Sequence, residues 1–172
     1  MRKSIVGATK IFYPLTKALS YFSSQSTKRK KFSSQVQSTI MNSREEALRR
    51  DHDSIRIEHL LLPIIKQSQG RTVEILNSLG CDLTRLQCDV EETITNYTQR
   101  KPNAAIPFSK QAGNVLRLAC GIADKLGSQE IENEHLFLSI LKQESNLLPL
   151  FYKKFGISYE VFYSYLKKSS AN

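Results

Sequence analysis

Two Glu-His pairs are the residues best placed by type to do chemistry: Glu58-His59, followed by Leu60-Leu61-Leu62, and Glu134-His135, followed by Leu136-Phe137-Leu138. A carboxylate beside an imidazole could bind a metal, move a proton or capture a guanidinium. The first two uses find no support around the pairs. No Cys, Asp or Glu stands at metal-ligand spacing from either histidine, and no Gly-x-Ser-x-Gly elbow supplies a nucleophile. Both histidines are therefore expected to be buried, hydrogen-bonded core groups, with no catalytic residue, no metal and no cofactor. The glutamates carry two readings. An acidic side chain in the first turn of a helix is favoured by the helix dipole. A carboxylate next to free first-turn amides can also take a guanidinium while the amides take an anion.

The pairs must be held by like structures, because they belong to an internal duplication. Phe32, Ser33, Gln35, Ala47, Ile55, Glu58, His59, Leu60, Leu62, Ile64, Lys66, Gln67 and Gly80 each recur 76 positions later. Thirteen identities in the 49 positions from 32 to 80 exceed the roughly three expected by chance at typical compositions. A role repeated by symmetry is first of all a structural role, which again favours core histidines.

Charge separates the chain into two parts. Of the 25 Lys and Arg, eight fall in residues 1–31, where there is no acid; from residue 32 on, 17 basic residues face 16 acidic ones. The body is nearly neutral, which argues against a specific nucleic-acid surface there. Residues 1–31 place Ile11, Leu15, Leu19 and Phe22 on one helical face and lysines on another, interrupted by Pro14. That pattern suits a basic flexible arm, a transit peptide, a helix at an anionic surface or a docking helix. No apolar run approaches the roughly 20 residues of a membrane-spanning helix. Cys81, Cys88 and Cys120 lack paired short spacing and are expected as reduced, packed thiols.

The elements are all helical. Ser33 and Ser109 are expected to cap a first helix in each copy, burying Val36, Ile40, Ser43 and Ala47 in one and Ala112, Val115, Leu116, Ala119, Ile122, Ala123 and Leu126 in the other. The Glu-His helix is central, with Asn133 expected as its cap in the second copy. Pro63 is expected to kink the first central helix or confine its regular part to later residues. A short third helix ends at Gly80 or Gly156, each suited to a left-handed closing residue. A fourth buries Leu83, Leu86 and Val90, or Tyr159, Phe162 and Leu166. The fold class is all-α, two tandem pseudo-symmetric four-helix repeats: 32–95 and 108–168, joined by a linker at 96–107 and preceded by the extension 1–31.

The doubled Phe-Ser, Ile-x-x-Glu-His-Leu-x-Leu and later Gly resemble the Clp N-terminal domain, or Clp repeat domain, from Phe32 to about Leu166. The resemblance implies a non-catalytic module that receives substrates and adaptor proteins ahead of the ATPase modules of Hsp100-type unfoldases. No Gly-x-x-x-x-Gly-Lys-Ser/Thr phosphate loop occurs in these 172 residues, so a stand-alone Clp repeat protein or a separated N-domain is expected. In one branch of the family the matching glutamates bind phosphorylated arginine. The resemblance thus implies Glu134, Ser109, Asn133, Glu58 and Ser33 as candidate substrate- or adaptor-binding residues. Ile57 replaces the usual small polar residue, which makes the copy at Glu134 the better site. The expected partners are Clp ATPase or protease subunits, adaptors, and unfolded or tagged proteins, with an anionic surface for residues 1–31. The expected location is cytoplasmic in a bacterium, or an organelle if residues 1–31 are a transit peptide. The alternative is a scaffold that acts on a membrane or nucleic acid through the basic extension.

Overall fold

The segments that lead into the two Ser-capped helices find their backbone partners in the opposite repeat. In the computed structural model, which describes residues 30–67, 69–94, 106–145 and 147–168, Phe32 bridges Ile131 in parallel and Phe108 bridges Ile55. The Ser33 amide donates to the Ile131 carbonyl (3.1 Å) and the Ile131 amide to the Lys31 carbonyl (2.8 Å). Their mates are Ser109 to Ile55 (2.9 Å) and Ile55 to Pro107 (2.8 Å). Each pair maps onto the other by the 76-residue shift, so the repeats exchange their leading segments about a pseudo-twofold axis. The exchange satisfies backbone groups that would otherwise be buried without partners.

Repeat one comprises α1 (Ser34–Arg49), α2 (Ile57–Ile65), α3 (Arg71–Ser78) and α4 (Leu83–Thr93). Repeat two comprises α5 (Lys110–Lys125), α6 (Asn133–Lys142), α7 (Leu147–Pro149, continuing as a π-helical turn over Leu150–Lys154) and α8 (Tyr159–Lys168). Among the described residues no strand longer than an isolated bridge occurs. The Ser33 hydroxyl accepts from the Val36 amide (3.3 Å) and the Ser109 hydroxyl from the Ala112 amide (3.2 Å), the caps expected from sequence. Gly80 and Gly156 close the third helices at φ 72° and 65°. The expected core positions of α1 are buried, with Thr39 added, and so are those of α5 except the half-buried Leu126.

The central helices carry the architecture. Every residue of α2 is buried, and α6 is buried from Asn133 through Leu141. A short helix can be covered on all sides only between layers: α2 packs against α1, α3 and α4 of its own repeat and against α5 and α6 of the other. The fourth helices close the bundle through Leu86, Val90, Phe162 and Leu166, while Leu83 and Tyr159 pack at its edge.

Three expectations change. α2 runs unbroken from Ile57 through Pro63, so its regular part is not confined to residues beyond the proline. Pro63 removes one amide, and packing on every face of α2 holds the remaining turns. At the matching position the Ser139 hydroxyl donates to the His135 carbonyl (2.7 Å). The third helix of repeat two is not regular but widens into the π turn. Cys81 and Cys120 are buried thiols whose pKa burial raises to about 11, whereas Cys88 is exposed. The expectations for residues 1–29 lie outside the described residues, as does most of the linker. Lys30 and Lys31 belong to the fold: the Lys30 Nζ donates to the Ala123 carbonyl (2.9 Å) beside the Asp124 carboxylate (3.3 Å).

Candidate functional site

Each Glu-His pair sits where a bridge hands the chain into a central helix, and the imidazole fixes that corner. His59 Nδ1 accepts from the Arg56 amide (2.9 Å), and His135 Nδ1 accepts from the Glu132 amide (2.8 Å). An Nδ1 that accepts must be unprotonated, so both rings are neutral with the proton on Nε2. Burial of these rings, with 0% and 3% of their area exposed, pushes each pKa down to about 4, the same direction. In repeat one the chain continues, because His59 Nε2 lies 2.9 Å from His52 Nδ1. The histidines are the buried, hydrogen-bonded groups that the repeat symmetry suggested. Among the described residues no cluster of His, Cys, Asp and Glu could hold a metal ion.

The two glutamates are both 7% exposed but stand in different company. Glu134 Oε1 lies 3.9 Å from Arg71 Nη1, and Arg71 Nη2 also donates to the Leu166 carbonyl (2.9 Å). Burial raises the Glu134 carboxyl above its usual range, with the Arg71 charge acting against it. The position in repeat two that matches Arg71 is Leu147, so the Glu58 corner has no equivalent guanidinium. Because the leading segments are exchanged, Ser33 joins its backbone to the segment that leads into Glu134, and Ser109 to the one that leads into Glu58. The five candidate residues thus fall into two crosswise corners: Ser33, Asn133 and Glu134 at one, Ser109 and Glu58 at the other.

Asn133, expected from its type to cap the helix, does not. Glu132 holds the N-cap position and Asn133 is the first helical residue, since His135 already accepts from the corner amide. The Asn133 amide instead completes a ring across the repeats. Asn133 Nδ2 donates to Gln67 Oε1 (3.0 Å), Gln67 Nε2 to Thr39 Oγ1 (3.2 Å), and Thr39 Oγ1 to Asn133 Oδ1 (3.1 Å). Gln35 Nε2 adds a further donor to Gln67 Oε1 (3.1 Å). On the other side of the pseudo-twofold the matches of Thr39 and Asn133 are Val115 and Ile57, both buried and apolar. At these two positions one side of the repeat interface is hydrogen-bonded and the other apolar.

Neither Arg71 nor Thr39 follows from the repeat identities, and Gln67 enters there only as one of them. A signal existed: Arg71/Leu147, Thr39/Val115 and Asn133/Ile57 are all places where a polar residue in one copy faces an apolar residue in the other. Two surface clefts are lined by neither Glu58 nor Glu134. One, of about 350 Å3, runs between α1 and α2 beside Glu46, Arg49 and Lys66. The other, of about 560 Å3, lies between α6, α7 and the start of α8.

Residues 31–160 match the family model described as the Clp repeat (R) N-terminal domain. The chain is 28% identical over 128 residues to the chaperone protein ClpB of Oceanobacillus iheyensis, a match that covers 74% of this chain and 16% of that protein. The chain therefore spans about a sixth of that relative's length. Other relatives include chloroplastic chaperones such as ClpC2 of Arabidopsis thaliana. Among solved structures, the Hsp104 N-terminal domain of Candida albicans superposes with a TM-score of 0.66 at 18% identity, covering 78% of this chain and 87% of that one. A ClpV N-domain in complex with a VipB peptide superposes at 0.63 with 16% identity, covering 80% and 82%.

Proposed function

Because the chain belongs to the Clp repeat (R) N-terminal domain family, we propose that it is a non-catalytic protein-binding module of a Clp-type chaperone or protease system. On this reading it binds substrates, adaptors or the Clp complex itself. The observation that carries the proposal is the family match over residues 31–160, which spans both repeats, and a structural neighbour, the ClpV N-domain, is known in complex with a VipB peptide. The module acts in the bacterial cytoplasm, or in an organelle if the basic segment ahead of Lys30 is removed as a transit peptide. The alternative, a membrane or nucleic-acid scaffold, rests on the charge of residues 1–31 alone.

Within this function, the Glu134 corner is the phosphoarginine site. Phosphoarginine carries a guanidinium and a phosphate side by side, and Glu134 with Arg71 offers the complementary order, a carboxylate beside a guanidinium. Glu134 takes the ligand's guanidinium and the partly exposed Arg71 takes its phosphate, while Ser33 and Asn133 are buried in the same corner. Glu58, with Ser109, is the weaker second corner, because Ile57 and Leu147 stand where the first has Asn133 and Arg71.

Affinity purification of the full chain from its own cells tests the wider function. A Clp ATPase, a protease core or a client should be retained above an unrelated bait; retention of none of them would reject it. Calorimetry with free phosphoarginine tests the corner. Binding by wild type that disappears in Glu134→Ala is expected, and equal heats from both would reject the assignment.

A further inference from the structure

The third helices of the two repeats close differently, and the difference puts a tyrosine on the surface. In repeat one the Cys81 amide donates to the Leu76 carbonyl (3.0 Å), and Leu76 is fully buried. The match of Leu76 is Tyr152. There the backbone winds as the π turn, so the Ile157 amide reaches one residue further back, to the Phe151 carbonyl (3.0 Å). Phe151 takes the core place, edge-on to Phe137 at 5.5 Å, and Tyr152 swings out with 70% of its area exposed. Single π turns inside helices recur at functional sites, because they re-aim side chains at some cost in helix geometry.

The turn forms one wall of the 560 Å3 cleft. Leu141, Leu148 and Ile157 line it with Tyr152, Lys142 and Lys153 belong to the same lining, and Glu160 is its one acid. Lys142 Nζ lies 5.7 Å from the Tyr159 ring; Tyr159 stacks on Tyr163 (5.7 Å, 12°), and Lys167 lies 5.1 Å from the Tyr163 ring. Residues 142–168 carry five lysines against two glutamates, and one of the five, Lys154, is paired with Asp89 of α4. An apolar cleft with an exposed aromatic wall and cationic edges is complementary to apolar side chains flanked by carboxylates.

We propose that this cleft docks a peptide segment in which large apolar residues alternate with acidic ones. The apolar side chains enter against Leu148 and Tyr152, and the carboxylates meet Lys142 and Lys153. A cleft of this size holds a few side chains rather than a folded domain. The proposal rests on the chain being a protein-binding module and names the partner chemistry of a surface distinct from the Glu134 corner.

Fluorescence anisotropy of the full chain with a fluorescein-labelled peptide of alternating leucine and aspartate tests it, alongside versions with asparagine or lysine in place of aspartate. The aspartate peptide should bind at least about tenfold tighter than the lysine one, with the asparagine peptide between them. Tyr152→Ala and Lys153→Glu should each weaken it about tenfold. Both side chains are exposed, and circular dichroism should show the fold unchanged; Met41→Ser, on α1, should bind like wild type. Equal affinity for the lysine peptide, equal binding by the Tyr152 and Lys153 variants, or tighter binding of single-stranded oligonucleotide than of peptide would overturn it. A chain that ignores the peptide yet retains Clp partners would lose this cleft and keep the wider function.

Discussion

The Ser33 amide donates to the Ile131 carbonyl at 3.1 Å, and the pseudo-equivalent Ser109 amide donates to Ile55 at 2.9 Å, so neither repeat completes its own leading segment. Separation would leave these amides and carbonyls unpartnered and uncover the faces of α2 and α6 that the other repeat buries. Residues 1–100 and 101–172, produced separately, are expected to show little helix by circular dichroism and to regain it on mixing. A cooperative thermal transition in either half alone would contradict this.

The Thr39–Asn133–Gln67 ring predicts a coupling. Asn133→Ile alone leaves the buried Thr39 hydroxyl without its acceptor and should cost about 2 kcal/mol. Adding Thr39→Val recreates the Val115/Ile57 pair of the other side. The double variant should therefore be more stable than the sum of the single effects by about 1 kcal/mol, read from urea midpoints. Additive effects would mean that the ring does not act as a unit.

The histidines set an acid limit. Their folded pKa values, about 4, lie below the unfolded value of 6.5, so the stability they contribute is complete above pH 6.5 and disappears as pH falls through 4. Between pH 7 and pH 5 each should remove about 2 kcal/mol. Urea unfolding at the two pH values measures the sum. A stability that holds level to pH 5 would contradict neutral, accepting imidazoles.

Glu134 has the opposite sign. Its raised carboxyl pKa means that ionisation opposes folding, so the penalty is absent below the unfolded pKa and appears as pH rises through the folded one. Glu134→Gln should raise the urea midpoint at pH 7, and the gain should vanish towards pH 4. A loss of stability at pH 7 would mean that the Arg71 pair outweighs burial, and would recast Glu134 as a structural ion-pair residue.

Much of this was legible in the sequence because duplication doubles the signal. Ser33 and Ser109 cap as read, Gly80 and Gly156 close as read, and the buried faces of α1 and α5 follow their helical spacing. What was hidden depends on packing between repeats. Asn133 looks like a cap because its type and place allow it, but His135 already holds the corner amide, and only the folded interface brings Thr39 and Gln67 to it. The π turn was hidden for a related reason: either Phe151 or Tyr152 could fill the third-helix pocket, and the choice shifts the backbone by one residue. Lys30 looked like the end of a basic tail until Ala123 and Asp124 were placed beside it.

The proposed function is binding to substrates, adaptors or the Clp complex, and sedimentation velocity of the labelled, purified chain tests it most directly. Mixed with the Clp ATPase and protease core of its own cells, the labelled chain should move into the fast-sedimenting assembly, in proportion to the assembly added. A chain that sediments slowly at every concentration, with and without a client protein, would contradict the account.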